Sequence, residues 1–344
     1  MRSAISFRST SLFFYLILSL VISLPLHLGA QARWVNVDVD FAPLPEDFHV
    51  FKTADSLDGK PFIAFYAIAF LKNKNLQFST DTTLQRRLTP VEFYKKNAQP
   101  LLVVNTTFFS FATSQNLNLV IKDEKVVSYN THSIALKGKD TLLYKHPFAS
   151  AIGISKKRKA DVAWTFTDSS SRNSFALQNV HTPVMDSVAT LSLKNAERYS
   201  SKIFRAGQSG IKYKPVLKKW KMHTAVGGGP VLVHDGQIKI TNNEELKFAG
   251  RAIYDKHPRT LIGYTKNDQL IVMVIEGRHT GTAEGANLQQ AAKIMVDLGC
   301  IEALNLDGGG SSCMLINGKN TIEPSDKGLQ RAVPAVFIIK NKLK

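Results

Sequence analysis

The decapeptide NLDGGGSSCM, residues 305–314, combines one carboxylate, three consecutive glycines and two hydroxyls. Apolar runs lead into it and out of it, so two regular elements meet at a very flexible tripeptide. Glycines in a row either let another group approach the main chain closely or allow a turn that side chains forbid. The N–H groups of such a row can hold an anion, and Asp307 beside them can act as base, nucleophile or ligand.

This stretch differs from several familiar motifs. No lysine follows the glycines as in a Walker A loop, and Ser311 and Ser312 are not framed as GxSxG. The spacing of an EF-hand is absent, and no helix is predicted after the glycines as a dinucleotide fingerprint requires. We therefore predict a substrate-binding turn whose contact residues are Gly308, Gly309, Gly310 and Ser311.

Further polar residues stand at the ends of predicted strands. Asn105 ends the apolar run LLVVN, Arg259 begins the run RTLIGY, and the motif EGRHTG places Glu276 and Arg278 after the next strand. Two arginines at neighbouring strand ends suit a bidentate grip on phosphate or carboxylate. Each residue alone has an ordinary explanation, because asparagine often caps a turn and arginine is often solvated. The set therefore carries more weight than its members.

A second triple glycine precedes the run PVLV and supplies Gly228 and Gly229 as candidate substrate contacts. His257 and His279 lie in the same motifs as the arginines. Histidines at such positions are more often surface or core residues than metal ligands. We assign no metal ligand and no cofactor to these motifs.

The motifs NTTFF, GGGPVLVHDGQI, HPRTLIGY, VIEGR and IEALNLDGGGSS, in this order, resemble those of the phosphodiester glycosidase family. That family includes the enzyme that uncovers mannose 6-phosphate by removing N-acetylglucosamine, and bacterial proteins associated with exopolysaccharide. The resemblance covers about residues 100–340. It implies a glycosidase with an α+β fold of mixed, largely antiparallel sheets and a few helices packed against them. It also implies catalytic roles for Asn105, Arg259, Arg278 and Asp307.

Two departures from the family pattern bear on the substrate. Thr106 and Thr107 stand where the family usually has glycine or alanine, and Glu276 stands where it often has aspartate. A sugar 1-phosphodiester already has a good leaving group, so its hydrolysis needs cations and N–H donors for the departing phosphate more than a general acid. The carboxylate of Asp307 would stabilise C1 or activate water.

The elements that position these motifs are predicted mainly as antiparallel hairpins. Alternating apolar residues and turn residues predict hairpins over residues 116–129, 151–166, 229–240, 259–277 and 313–322, and a last strand over 332–340. The pairs Asp235-Gly236 and Asn317-Gly318 are typical of two-residue hairpin turns. In the first hairpin we expect Leu117, Leu119, Ile121 and Val127 to face the core.

Helices are fewer. TPVEFYKKN predicts a helix with Thr89 as the N-cap of a capping box, and NLQQAAKIMVDLG predicts one from Asn287 to a stop at Gly299. The second helix leads directly into the strand before the glycine turn. Residues 167–221 show weak patterning and are interpreted as an irregular insertion, with a short helix in LKNAERYSSKIF.

The first 32 residues have the basic start, apolar run and small residues of a signal peptide, with cleavage expected after Ala32 and with Ala30 as the alternative position. The alternative is an uncleaved anchor, although Pro25 interrupts the apolar run. We expect residues 33–99 to lead into a domain over 100–344. The mature protein is expected to be periplasmic or extracellular, with no stable membrane span.

The formal net charge of the chain is +17, of which Arg2 and Arg8 contribute two, leaving +15 after the signal peptide. Such a charge favours anionic partners. An anionic glycan or sugar phosphodiester is preferred to nucleic acid, because the basic cluster KKWK interleaves only Trp220 with its lysines. A non-catalytic glycan-binding or envelope polysaccharide assembly protein is the alternative to an enzyme.

The chain has two cysteines, Cys300 and Cys313. Neither position forces them together, so we expect two buried free thiols in preference to a disulfide.

Overall fold

The computed structural model describes residues 32–203 and 216–343. The predicted signal peptide therefore lies outside the described residues, apart from Ala32. Four short α-helices occur in the described ranges: α1 (Pro90–Lys96), α2 (Leu193–Ile203), α3 (Asn242–Glu245) and α4 (Leu288–Asp297). No helix in these ranges is long and apolar enough to cross a membrane.

Strands dominate the structure. In chain order they are β1 (Val35–Asn36), β2 (Phe48–Leu57), β3 (Lys60–Phe70), β4 (Leu76–Thr82), β5 (Leu102–Asn105), β6 (Val120–Lys122), β7 (Lys125–Ser128), β8 (Ile134–Ala135), β9 (Tyr144–His146), β10 (Ala149–Ile154), β11 (Ala160–Asp168), β12 (Asn173–Leu177), β13 (Val184–Asp186), β14 (Lys218–Lys219), β15 (Thr224–Gly227), β16 (Val231–His234), β17 (Gln237–Ile238), β18 (Arg259–Thr265), β19 (Gln269–Ile275), β20 (Cys300–Asn305), β21 (Met314–Ile316), β22 (Lys319–Asn320) and β23 (Ala335–Asn341).

The strands form four sheets, and every pairing among the described residues is antiparallel. The eight-stranded sheet has the order β1-β2-β3-β19-β18-β20-β16-β17, and the seven-stranded sheet β14-β12-β11-β10-β15-β6-β7. The five-stranded sheet has the order β22-β21-β5-β23-β4, and the smallest β13-β9-β8. This architecture is consistent with the expected antiparallel α+β fold, with sheets outweighing helices.

The central strands of the eight-stranded sheet are buried on both faces. Successive side chains of β18 point to opposite faces, so Ile262 packs into the large core and Leu261 packs into the core that includes the apolar face of α4. The two central strands therefore form a rigid support whose ends carry Arg259 and Arg278.

The predicted hairpins and the last strand are confirmed. One inward position was wrong. A register shift between Val120 and Ile121 places Val126 opposite Ile121, so Val126 packs against the core and Val127 is 43% exposed. The bulge reverses the alternation that the sequence pattern assumes.

The predicted helices are also confirmed. Thr89 and Asn287 are N-caps with complete capping boxes, and Gly299 has a φ of +81° after α4. Helix α2 covers Leu193–Ile203, the described part of the stretch LKNAERYSSKIF. Residues 167–221 also contain β12, which pairs with β11 and β14 in the seven-stranded sheet; residues 204–215 of this segment lie outside the described part.

The glycine turn joins two sheets. β20 belongs to the eight-stranded sheet and β21 to the five-stranded sheet, so the chain crosses between them over residues 306–313. Cys300 before the crossing and Cys313 at its end are both buried and free, as expected.

Candidate active site

The start of β18 and the residues after β5 flank the crossing. The Leu306 N–H donates to the Thr260 carbonyl oxygen at 2.8 Å, and the Asp307 N–H donates to the Thr106 carbonyl oxygen at 2.7 Å. These bonds place Asp307 between two strand ends that are far apart in sequence.

Asn105 holds the ends of this crossing together. Its Nδ2 donates to the Asp307 carbonyl oxygen at 2.6 Å, and its Oδ1 accepts from the Cys313 N–H at 3.1 Å and from Thr260 Oγ1 at 2.8 Å. The side chain is fully buried. Asn105, predicted to be catalytic, has its amide engaged inside the protein, which suits a positioning role.

Arg259 and Arg278 lie close together without a carboxylate partner among the described residues. Arg259 is 2% exposed, and its Nε donates to the Ala286 carbonyl oxygen at 2.9 Å. Burial and the charge of Arg278 lower the pKa of Arg259 to about 10. Arg278 is exposed, with a φ of +67°. Two cations held together without an acid to neutralise them are the kind of arrangement that attracts an anion.

The three glycines of the turn serve different purposes. A Cβ atom on Gly308 would lie 2.8 Å from the Pro258 carbonyl oxygen, so this glycine lets two main chains pack. Gly309 has a φ of +60°, and a Cβ atom there would lie 3.0 Å from Arg278 Nη2. The turn therefore brings Arg278 directly over the main chain at Gly309.

Not every N–H group of the turn is available to a ligand. The Gly309 N–H donates to the Pro258 carbonyl oxygen at 2.8 Å, contrary to the expectation of a continuous row of anion-binding N–H groups. The N–H groups of Gly228 and Gly229 donate to the carbonyl oxygens of Ser150 and Asn305 at 3.0 and 2.7 Å, respectively. These two predicted substrate contacts are buried and pack the chain against the end of β20.

Asp307 is the carboxylate of the glycine turn, and its side chain is half-buried. Burial raises its pKa to about 7, although the Ser311 hydroxyl, the charge of Arg331 and the Gly308 N–H oppose this shift. Ser311 itself is 2% exposed. A carboxyl that titrates near neutrality can both accept and return a proton during a reaction.

Residues 159–340, more than half of the chain, match the phosphodiester glycosidase family. The chain belongs to this family. The matched region includes Arg259, Arg278 and Asp307; Asn105 precedes it.

Three curated relatives of this family member align over short segments. The human and bovine N-acetylglucosamine-1-phosphodiester alpha-N-acetylglucosaminidases are 35% and 26% identical to it over 102 residues, which is 29% of this chain and 19% of each relative. The prophage-derived uncharacterized protein YomE of Bacillus subtilis is 37% identical over 78 residues, 23% of this chain and 12% of that protein. The chain thus spans less than a fifth of these relatives.

Solved structures extend the likeness to most of the fold. The zebrafish N-acetylglucosamine-1-phosphodiester alpha-N-acetylglucosaminidase catalytic domain, auto-inhibited by its pro-peptide, superposes with a TM-score of 0.55 at 18% identity, covering 90% of this chain and 88% of that one. A putative exported protein from Burkholderia pseudomallei has a TM-score of 0.54 at 14% identity, covering 83% and 75%. These structures share the fold with this phosphodiester glycosidase family member.

Arg331 is a third cation of the site that the sequence patterns did not reveal. Its guanidinium lies so close to the main chain at Gly310 that a Cβ atom there would collide with it. Its positive charge lowers the pKa of Asp307. Its Nε donates to Asp326 Oδ2 at 2.9 Å. Arg331 lies in an irregular loop before β23 without a periodic pattern, so only its position ahead of a buried strand could have drawn attention to it.

Two half-buried aromatic rings and a lysine lie next to Arg259. The Arg259 guanidinium lies 5.6 Å from the Phe248 ring centroid, and the Phe248 and Phe108 centroids are 6.0 Å apart. Lys247 Nζ lies 5.2 Å from the Phe108 centroid, and burial lowers its pKa. Phe108 belongs to the motif NTTFF, whereas Lys247 and Phe248 lie between the motifs that resemble the family and belong to none of them.

The two threonines that depart from the family pattern are buried beside Asn105. Thr106 and Thr107 are at most 1% exposed, and neither hydroxyl oxygen has a hydrogen-bond partner within the protein. A buried hydroxyl without a partner costs about 1–3 kcal/mol. Buried polar groups without a partner in the protein call for an explanation, such as an ordered water, an ion or a role at the site.

Glu276, predicted to contact substrate, is 6% exposed. One of its oxygens lies 3.1 Å from His279 Nδ1, and the other accepts from the Glu323 N–H at 2.9 Å. Ligand atoms of these three side chains lie within 4.8 Å of one another, close enough to hold a cation. Because both Glu276 oxygens are engaged, we assign the residue to positioning the segment that carries Arg278.

Proposed function

We propose that this phosphodiester glycosidase family member is an exported hydrolase that cleaves the C1–O bond of a glycosyl 1-phosphodiester in a cell-surface or extracellular glycan. The observation that carries the proposal is the set of cations around the glycine turn. Arg278 lies over Gly309 and close to Arg259, neither arginine has an acidic partner in the described part of the chain, and the charge of Arg331 acts on Asp307. The exported location rests on the signal-like residues 1–32.

In this proposal the arginines bind the phosphate. Arg278 is exposed and reaches the glycine turn, while buried Arg259 faces it from the start of β18. As the C1–O bond breaks, its electron pair moves to the phosphate oxygen, and the guanidinium groups stabilise the negative charge that develops there. Because they are already in place, little reorganisation is needed during the reaction.

Asp307 acts at the sugar. Its carboxylate stabilises the oxocarbenium-like centre at C1 and accepts a proton from the attacking water. The water oxygen forms the new bond to C1, and the products are a free sugar and a phosphomonoester. The half-buried rings of Phe108 and Phe248 offer apolar surface to the sugar.

The carboxylates favour attack at C1 over attack at phosphorus. Phosphoryl-transfer sites commonly gather several carboxylates around metal ions. Here the glycine turn supplies only Asp307, and both oxygens of Glu276 are engaged within the protein. One carboxylate among arginines suits an oxocarbenium-like transition state.

The test is hydrolysis of a series of sugar 1-phosphodiesters in ¹⁸O-labelled water. We expect turnover of at least one sugar, beginning with N-acetylglucosamine, and label in the released sugar. Label in the phosphate would overturn the proposed bond cleavage. Binding of these compounds without turnover by the parent protein would instead support the non-catalytic glycan-binding alternative.

A further inference from the structure

A second group of ionisable side chains lies where the Asp235-Gly236 hairpin turn meets β20. His234 ends β16, Asp235 follows it in the turn, and Glu302 projects from β20. One ligand atom from each residue lies within 4.8 Å of the others. The Gly236 N–H donates to the Ile301 carbonyl oxygen at 2.8 Å and holds the turn against the strand.

Two members of this group are buried and lack sufficient partners. His234 is 9% exposed and Glu302 is 7% exposed, and Glu302 Oε1 lies 3.0 Å from His234 Nδ1. Glu302 Oε2 is buried without any hydrogen-bond partner. Burying an unpaired carboxylate oxygen is costly, so the arrangement calls for a positive ligand.

The charged residues around Glu302 are mainly acidic. The carboxylates of Asp161 and Asp235 act on Glu302 with like charge, and Lys239 acts on it with opposite charge. No lysine or arginine forms an ion pair with Glu302 or Asp235 in the described ranges. The Asp235 side chain is 85% exposed and opens the group to solvent.

We propose that His234, Asp235 and Glu302 bind a divalent transition-metal ion of the zinc class. One imidazole and two carboxylates form a mixed nitrogen and oxygen donor set, which suits zinc better than the all-oxygen sets preferred by calcium and magnesium. Three protein ligands leave a fourth tetrahedral position for water on the exposed side of Asp235.

The metal would act on stability. Glu302 precedes Asp307 by five positions, roughly 16 Å along an extended strand at about 3.3 Å per residue, so the metal site is separate from the glycine turn. The ion would join the hairpin turn to the strand that leads to Asp307. Because it binds only the folded chain, it raises the unfolding temperature.

The test is a calorimetric titration of metal-free protein with Zn²⁺ alone, together with thermal unfolding. We expect one Zn²⁺ per chain at this site and a higher unfolding temperature in its presence. Asp235→Asn and Glu302→Gln should each weaken binding about tenfold or more and remove the thermal shift. Ca²⁺ and Mg²⁺ should not compete.

Asp58→Asn is the matched control for the turn, because Asp58-Gly59 forms the same dipeptide in the β2–β3 hairpin and both aspartates have a φ of +52°. This control should bind Zn²⁺ like the parent. Equal binding by the parent and both site variants, or the absence of binding by the parent, would overturn the proposal. Loss of this Zn²⁺ in His279→Gln but not in Asp235→Asn would place the metal at Glu276 and overturn it as well.

Discussion

The side-chain amide of Asn105 donates a hydrogen bond of 2.6 Å to the carbonyl oxygen of Asp307, 202 positions later in the chain. The same amide accepts from the Cys313 N–H, so one side chain spans the glycine turn from its first residue to its end. The position of the candidate catalytic carboxylate therefore depends on a residue that ends a strand of another sheet.

Replacing Asn105 by alanine should lower both stability and turnover. The substitution leaves buried groups of the turn without partners, at a cost of about 1–3 kcal/mol, and releases Asp307 from its position. Denaturant unfolding and kcat measurements check this. Asn97→Ala is the control, because its Nδ2 donates to Asp81 and to the Phe93 carbonyl oxygen at the end of α1, so its loss should lower stability with kcat unchanged. Unchanged kcat in Asn105→Ala would contradict the positioning role.

Turnover should rise with pH through about 7, because Asp307 acts as a carboxylate and its pKa is raised to about 7. Asp307→Asn should lose turnover by roughly a thousandfold or more while remaining folded. Since the charge of Arg331 lowers the pKa of Asp307, Arg331→Gln should move the rising limb to higher pH. Measuring kcat from pH 5 to 9 tests this prediction. A kcat that falls as the pH rises through 7 would show that Asp307 works as an acid.

The titration of Asp307 should affect stability in the opposite direction: the free energy of unfolding should fall as the pH rises. An unfolded aspartate has a pKa of about 3.9. Between that value and about 7, the folded chain retains a proton on Asp307 that the unfolded chain has released, so stability is lost as the pH rises through this window. Asp307→Asn should therefore gain in unfolding temperature, relative to the parent, more at pH 8 than at pH 4. An equal difference at the two pH values would contradict the raised pKa.

Arg278→Gln should lower kcat/KM by about tenfold or more and leave the unfolding temperature nearly unchanged, because the side chain is exposed and has no ion pair in the described part of the chain. Arg172→Gln provides a matched control, since Arg172 is also exposed and has a φ of +54°. Steady-state kinetics on the substrate found by the labelled-water assay would test the pair. Equal losses in the two variants would remove Arg278 from the site.

The glycines should separate into structural and functional positions. Gly308→Ala forces a Cβ atom against the Pro258 carbonyl oxygen, so its main effect should be on unfolding temperature. Gly310→Ala displaces the flexible end of Arg331, so it should lower kcat with a smaller loss of stability. Gly309→Val should lower both, because its φ of +60° is strained for a β-branched side chain. The reverse ranking of Gly308→Ala and Gly310→Ala would contradict these assignments.

Local chemistry explains which parts of the fold were predictable. Thr89 and Asn287 predict the starts of their helices because a capping box involves only residues of the first turn. Asp235-Gly236 predicts its hairpin because the turn needs a positive φ at both residues, which this pair adopts readily. Val127 was misplaced because a bulge depends on the partner strand.

Tertiary contacts explain what the sequence patterns left out of the candidate site. The motifs contained Arg259, Arg278 and Asp307, and the structure brings all three to the glycine turn. Arg331 belongs to a loop without a pattern, and its place beside Gly310 follows only from how that loop packs. The Gly309 N–H was expected to face a ligand. It donates instead to the Pro258 carbonyl oxygen, which comes from a distant segment of the chain.

The pairing of β3 with β19 has a practical consequence for recombinant fragments. A shortened protein starting at residue 100, at the predicted domain boundary, would lose β3 from the side of β19 and β4 from the side of β23. Both newly exposed edges are long and apolar, and unpaired edges of this kind recruit strands from other molecules. Such a fragment should aggregate during expression, although it retains the Asn105, Arg259, Arg278 and Asp307 positions.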